Sequence, residues 1–97
     1  MSSLATTPRT ESQERQAHLM RLRHELTELG ARVRVRRARS GRWKLRLYWR
    51  GWSTTVMCAG AEGTYAYVTT HGQLLGPTGD VRYIARRLLW MLERHQR

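Results

Sequence analysis

Between Ala31 and Arg50 the chain alternates basic and apolar side chains with a period of two. Arg32, Arg34 and Arg36 alternate with Val33 and Val35, and then Arg42, Lys44, Arg46, Tyr48 and Arg50 alternate with Trp43, Leu45, Leu47 and Trp49. Successive side chains on a strand point to opposite faces, so each run sorts its cations onto one face and its apolar groups onto the other. The pattern predicts strands at about 31–37 and 42–50. Arg37-Ala38-Arg39-Ser40-Gly41, which ends in a Ser-Gly turn signal, joins them as a hairpin with one cationic face.

Elsewhere the period changes. Leu19, Leu22, Leu26 and Leu29 recur at spacings of three and four, the stripe of an amphipathic helix, with Met20 at its edge. Thr10 followed by Gln13 fits a capping box at its start, and Gly30 is placed to end it in a left-handed conformation. A short apolar strand is expected over Thr54 to Ala59 and another over Thr64 to Thr70, where Tyr65, Tyr67 and Thr69 alternate with Ala66 and Val68. The small residues and Val68 are expected to face inward, which would bring both tyrosines to the cationic face; the opposite register stays open. His71 to Gly79 is rich in glycine and reads as a loop, with a short extension of the strand through Leu74-Leu75. After a cap at Thr78 or Asp80, the stripe Val81, Ile84, Ala85, Leu88 and Leu92 predicts a second helix with Arg82, Arg86 and Arg87 on its outer side and a basic end at Arg94, His95 and Arg97.

Helix, four strands, helix gives an α+β fold: a two-layer sandwich with a four-stranded antiparallel meander and both helices on one face. Trp43 and Trp49 are expected inside. Trp52 and Trp90 are less determined by the pattern, and Trp90 suits a rim or a dimer contact. Residues 1–9, rich in Ser, Thr and Pro, read as a disordered lead-in to a single domain over 10–97.

Charge adds a class of partner. Eighteen Lys and Arg against seven Asp and Glu give the 97-residue chain a formal charge of +11, and no acid lies between Glu28 and Glu62. So basic a balance favours polyanions such as nucleic acid or an anionic membrane surface. All but one of the basic residues are Arg, which fits either bidentate phosphate recognition or the codon bias of a GC-rich genome. The single cysteine, Cys58, excludes an internal disulfide and reads as a buried hydrophobe. With no basic-then-apolar leader and no apolar run of the ~18 residues that span a bilayer, a cytoplasmic protein is expected.

The candidate binding residues are Arg32, Arg34, Arg36, Arg42, Lys44, Arg46 and Arg50, with Tyr48 as a base-stacking platform. With no base-reading motif beside them, contacts would be to phosphate and tolerant of sequence. The bland alternatives are a solvated face or a surface for an acidic protein, as a monomer or in a homodimer. His18 and His24, six apart, do not share a ligand face, and Cys58 has no partner at metal-site spacing. No metal, no cofactor and no catalysis are expected; His71 is the one candidate proton carrier for RNA cleavage beside the arginines.

Several stretches carry a resemblance: Leu22-Arg23-His24-Glu25-Leu26-Thr27-Glu28-Leu29-Gly30, the Arg-rich strand, Val56-Met57-Cys58-Ala59-Gly60, the aromatic strand and Ile84-Ala85-Arg86-Arg87-Leu88. Over residues 20–92 these resemble a family of small Arg-rich actinobacterial proteins, which implies a bacterial cytoplasmic origin and no particular activity. The layout also resembles the double-stranded-RNA-binding fold, whose RNA-reading loop and basic helix start are echoed by Gly76-Pro77-Thr78, here after the last strand, and Ala85-Arg86-Arg87. Small ribonuclease toxins of that fold carry a Gly-Ser-His strand signature where this chain has Thr70-His71-Gly72.

Overall fold

The computed structural model describes residues 10–94. The expected lead-in over residues 1–9 and the basic residues His95 and Arg97 lie outside them. Helix α1 spans Glu11–Glu28, β1 Arg32–Arg37, β2 Trp43–Trp49, β3 Trp52–Ala61, β4 Thr64–Thr69, β5 Leu74–Pro77 and α2 Val81–Arg94. A short 3-10 turn over Thr78–Asp80 leads into α2.

α1 begins where its cap dictates. The Thr10 hydroxyl accepts the Gln13 N–H at 3.1 Å and the Gln13 side chain accepts the Thr10 N–H at 2.9 Å, so two otherwise orphaned donors are satisfied reciprocally. The helix ends at Gly30, whose φ of 92° only glycine adopts freely. Leu19, Leu22 and Leu26 are fully buried against the sheet.

The sheet is an antiparallel meander in the order β1-β2-β3-β4-β5. Four strands were expected and five form, because Leu74–Pro77 pairs with β4. A register shift between Tyr67 and Val68 takes up the irregular chain. Pro77 closes β5 on an edge strand, where a missing N–H facing away from the sheet costs no ladder bond. Gly76 lets α2 approach: a Cβ there would meet Ile84 at 3.3 Å.

Both helices cover one face. Leu45, Leu47, Val56, Cys58, Tyr67 and Leu75 of the sheet pack there against Leu19, Leu22 and Leu26 of α1 and Ile84, Leu88 and Leu92 of α2. Trp43 and Trp49 face this layer but lie half-buried at its margin. Tyr65 and Tyr67 take the covered face and not the cationic one. The tyrosines bring more apolar area than Ala66 and Val68, and the Tyr67 hydroxyl donates to the His18 carbonyl at 2.7 Å, so its polar tip is satisfied as its ring is buried. Thr78 does not cap α2; its hydroxyl donates to the Tyr65 carbonyl at 3.3 Å and ties the turn to β4. No helix among the described residues is long and apolar enough to cross a membrane.

Candidate nucleic-acid interface

The pairing of β1 with β2 stacks the cations in ranks across the uncovered face. Arg32 stands opposite Tyr48, Arg34 opposite Arg46 and Arg36 opposite Lys44. Directly paired residues share a face, so these six side chains form one patch whose length, from Arg32 to Arg36, is ~13 Å at the usual strand rise. Arg34, Arg36, Lys44 and Arg46 line a groove of about 580 Å³, with Arg39 at the hairpin tip and Thr55 and Thr70 on its far wall. The Arg46 guanidinium lies 5.7 Å from the Tyr48 ring centroid, a cation-π contact that leaves the ring partly exposed beside Arg32.

Acids are segregated from this patch. Glu11, Glu14, Glu25 and Glu28 are on α1, Asp80 and Glu93 accompany α2, and Glu62 sits in the β3–β4 turn. Among the described residues, every ion pair uses a carboxylate of the helices: Glu11 with Arg15, Glu14 with His18, Glu93 with Arg50 and Glu25 with Arg82. None involves Arg32, Arg34, Arg36, Arg42, Lys44 or Arg46.

Comparison with protein-family models, with curated proteins and with solved structures found no match.

Two of the residues expected on the cationic face lie outside its strands. Arg50 occupies the β2–β3 turn with φ 50°, followed by Gly51 with φ 83°, the left-handed pair of a type I′ hairpin turn. The turn carries its side chain toward the helix layer, where it lies over the Trp49 ring at 5.2 Å and pairs with Glu93 at 3.7 Å. Alternation alone extended the strand one residue too far. Arg42 precedes β2 and belongs to the hairpin tip, where its carbonyl accepts the Ala38 N–H at 2.8 Å.

The rest of the uncovered face has a different character. Met57 and Ala59 on β3, Ala66 and Val68 on β4, and Leu74, 63% exposed on β5, give an apolar half beside the cationic one. The expectation that Ala66 and Val68 face inward, with the opposite register left open, kept this half from view. Cys58 is buried on the opposite face, and burial pushes its thiol up to about 11, with Arg15 opposing the shift. A thiol so shifted holds its proton at neutral pH. His71 lies exposed in the β4–β5 turn next to Thr70. Among the described residues no three His, Cys, Asp or Glu side chains gather to hold a metal ion.

Proposed function

We propose that the chain is a nucleic-acid-binding accessory protein without enzymatic activity, which contacts phosphates through the β1–β2 half of its uncovered sheet face. The observation that carries this reading is the ranked set Arg32, Arg34, Arg36, Lys44 and Arg46, unpaired with any described carboxylate and facing solvent beside Tyr48. Like charges opposed on neighbouring strands destabilise a sheet, so a polyanion that neutralises them is bound with gain. The patch is ~13 Å long, the rise of about four base steps of a duplex. Arginine forks and one lysine supply bidentate and point contacts to phosphate, and nothing in the patch is arranged to read base edges. Recognition is then by charge and tolerant of sequence.

Titration of labelled DNA and RNA across ~50–300 mM salt tests the proposal. About four phosphate contacts give a slope near −3.6 in log K against log salt, a loss of roughly 100-fold between 50 and 200 mM. Joint reversal, Arg34→Glu with Arg46→Glu, abolishes retention while the fold persists. Binding that is already absent at ~100 mM salt sinks the proposal.

The apolar half formed by Met57, Ala66, Val68 and Leu74 favours a second reading, a docking surface for an acidic protein that also brings apolar groups. Under that reading the same reversal loses the partner and leaves nucleic-acid affinity unchanged.

A further inference from the structure

β3 outruns β2, and a cleft opens where it does. The β2–β3 ladder has its last rung at Leu45–Val56, whereas β2 continues beside β1 to the Trp43–Arg37 rung and β3 continues beside β4 to Ala61. The hairpin tip therefore departs from the sheet and leaves a cavity of about 520 Å³ against β3, within the size range of small-ligand sites. Arg37, Arg42 and Trp43 form its hairpin wall, Met57 and Cys58 its β3 wall, and Arg15 reaches in from α1.

Cations, an aromatic ring and main-chain polar groups meet at this cleft. In a central strand, alternate residues turn their amides to opposite neighbours. The Thr55 carbonyl accepts the Thr70 N–H on the β4 side at 3.1 Å, so Val56, Cys58 and Gly60 turn theirs toward β2. Gly60 does so visibly, its carbonyl taking the Arg15 guanidinium at 2.7 Å. The main-chain groups of Cys58 thus lie at the cleft beyond the last rung, a donor and an acceptor of the kind that pair with a base edge. The Trp43 ring already takes the planar Arg37 guanidinium at 5.9 Å, and Arg37 also borders the cationic groove on the uncovered face. A phosphodiester chain laid along that groove leads into the cleft.

Resting on the nucleic-acid reading above, we infer that this cleft receives one unstacked base of a single strand, seated on Trp43, with its phosphate on Arg37 and Arg42. A duplex keeps its bases stacked and paired and offers only phosphates to the groove, so the cleft makes the protein a reader of unpaired strands.

The test titrates the full chain with three labelled oligonucleotides of equal length at one salt concentration: a single strand, the same strand made abasic, and a duplex. Base-aromatic stacking is worth enough for the intact strand to bind about tenfold tighter than the abasic one. Trp43→Leu, which keeps apolar bulk beside the core, removes the difference between intact and abasic strands. Equal affinity of the wild type for intact and abasic strands overturns the inference without any variant, and leaves the phosphate-binding reading standing. Failure of all three to bind overturns both.

Discussion

Arg34 and Arg46 stand directly opposite one another on β1 and β2, two like charges on the uncovered face of a sheet. The arrangement costs stability for the free protein and is relieved by an anion. Arg34→Glu alone turns it into an opposite-charge pair, which is expected to raise stability by about 0.5–1 kcal/mol in urea denaturation while weakening nucleic-acid binding. Added salt screens the wild-type repulsion, so wild-type stability rises modestly with salt and that of the variant does not. A variant less stable than wild type would show that the two guanidinium groups do not repel across the strands.

Glu93 fastens the far end of the hairpin to α2, accepting the Trp49 indole N–H at 3.3 Å while pairing with Arg50 at 3.7 Å. Glu93→Leu leaves the partly buried indole donor without its acceptor and is expected to cost about 1–2 kcal/mol, whereas Glu93→Gln keeps an acceptor and costs less than about 1 kcal/mol. Equal losses from the two variants would mean that the charge and not the hydrogen bond matters.

Because Arg50 serves this junction, it is expected to contribute little to binding. Arg50→Asn suits the left-handed turn position, which favours Asn before Gly. Its affinity for nucleic acid should stay within about twofold of wild type, in contrast to Arg34→Glu. A loss as large as that of Arg34→Glu would return Arg50 to the interface.

Gly60 is held at φ 124° on β3, and a Cβ there would collide with the Thr64 carbonyl oxygen. Gly60→Ala therefore strains the β3–β4 hairpin and disturbs the acceptor of Arg15, with an expected cost of about 1–3 kcal/mol in thermal or chemical denaturation. A neutral substitution would show that the hairpin end relaxes freely.

Alkaline pH should loosen the core before it titrates the arginines. Burial pushes the Cys58 thiol from 9.0 up to about 11 and raises the Tyr67 phenol as well. An acid whose folded-state pKa is raised keeps its proton more tightly in the folded protein, so its stabilising contribution is complete below the unfolded value and is lost as pH climbs through the folded one. Stability is expected to hold to about pH 9 and to fall between about pH 9 and 11. Cys58→Ala and Tyr67→Phe, each removing one titrating group, should flatten that decline. Tyr67→Phe also sacrifices the bond to the His18 carbonyl, at about 1 kcal/mol at neutral pH. An identical pH profile in all three proteins would exclude both groups as its cause.

Much of the architecture is legible in local signals. The Thr10 and Gln13 cap needs only neighbouring residues, and the α1 and α2 stripes repeat at a spacing that only a helix brings to one face. Strands β1 and β2 announce themselves because charged and apolar side chains differ so much in the cost of burial that alternation has a single sensible reading. β5 was not legible. Leu74-Leu75-Gly76-Pro77 has no alternation of its own and becomes a strand only because β4 offers an edge to pair with.

Local pattern along the chain sets the period of each element, the absence of acids from residues 29–61 and hence the existence of a cationic strand face. Packing across the layers sets which face of β4 the helices cover. Tyr65 and Tyr67 alternate with Ala66 and Val68 in either register, and the tyrosines went inside because α1 presents an apolar stripe and the His18 carbonyl to receive them. It also decided that Arg50 turns back to Glu93 and that β3 outruns β2 to open the cleft beside Trp43. Periodicity is a property of neighbours along the chain, whereas coverage, turn geometry and the length of a ladder depend on what lies across from them.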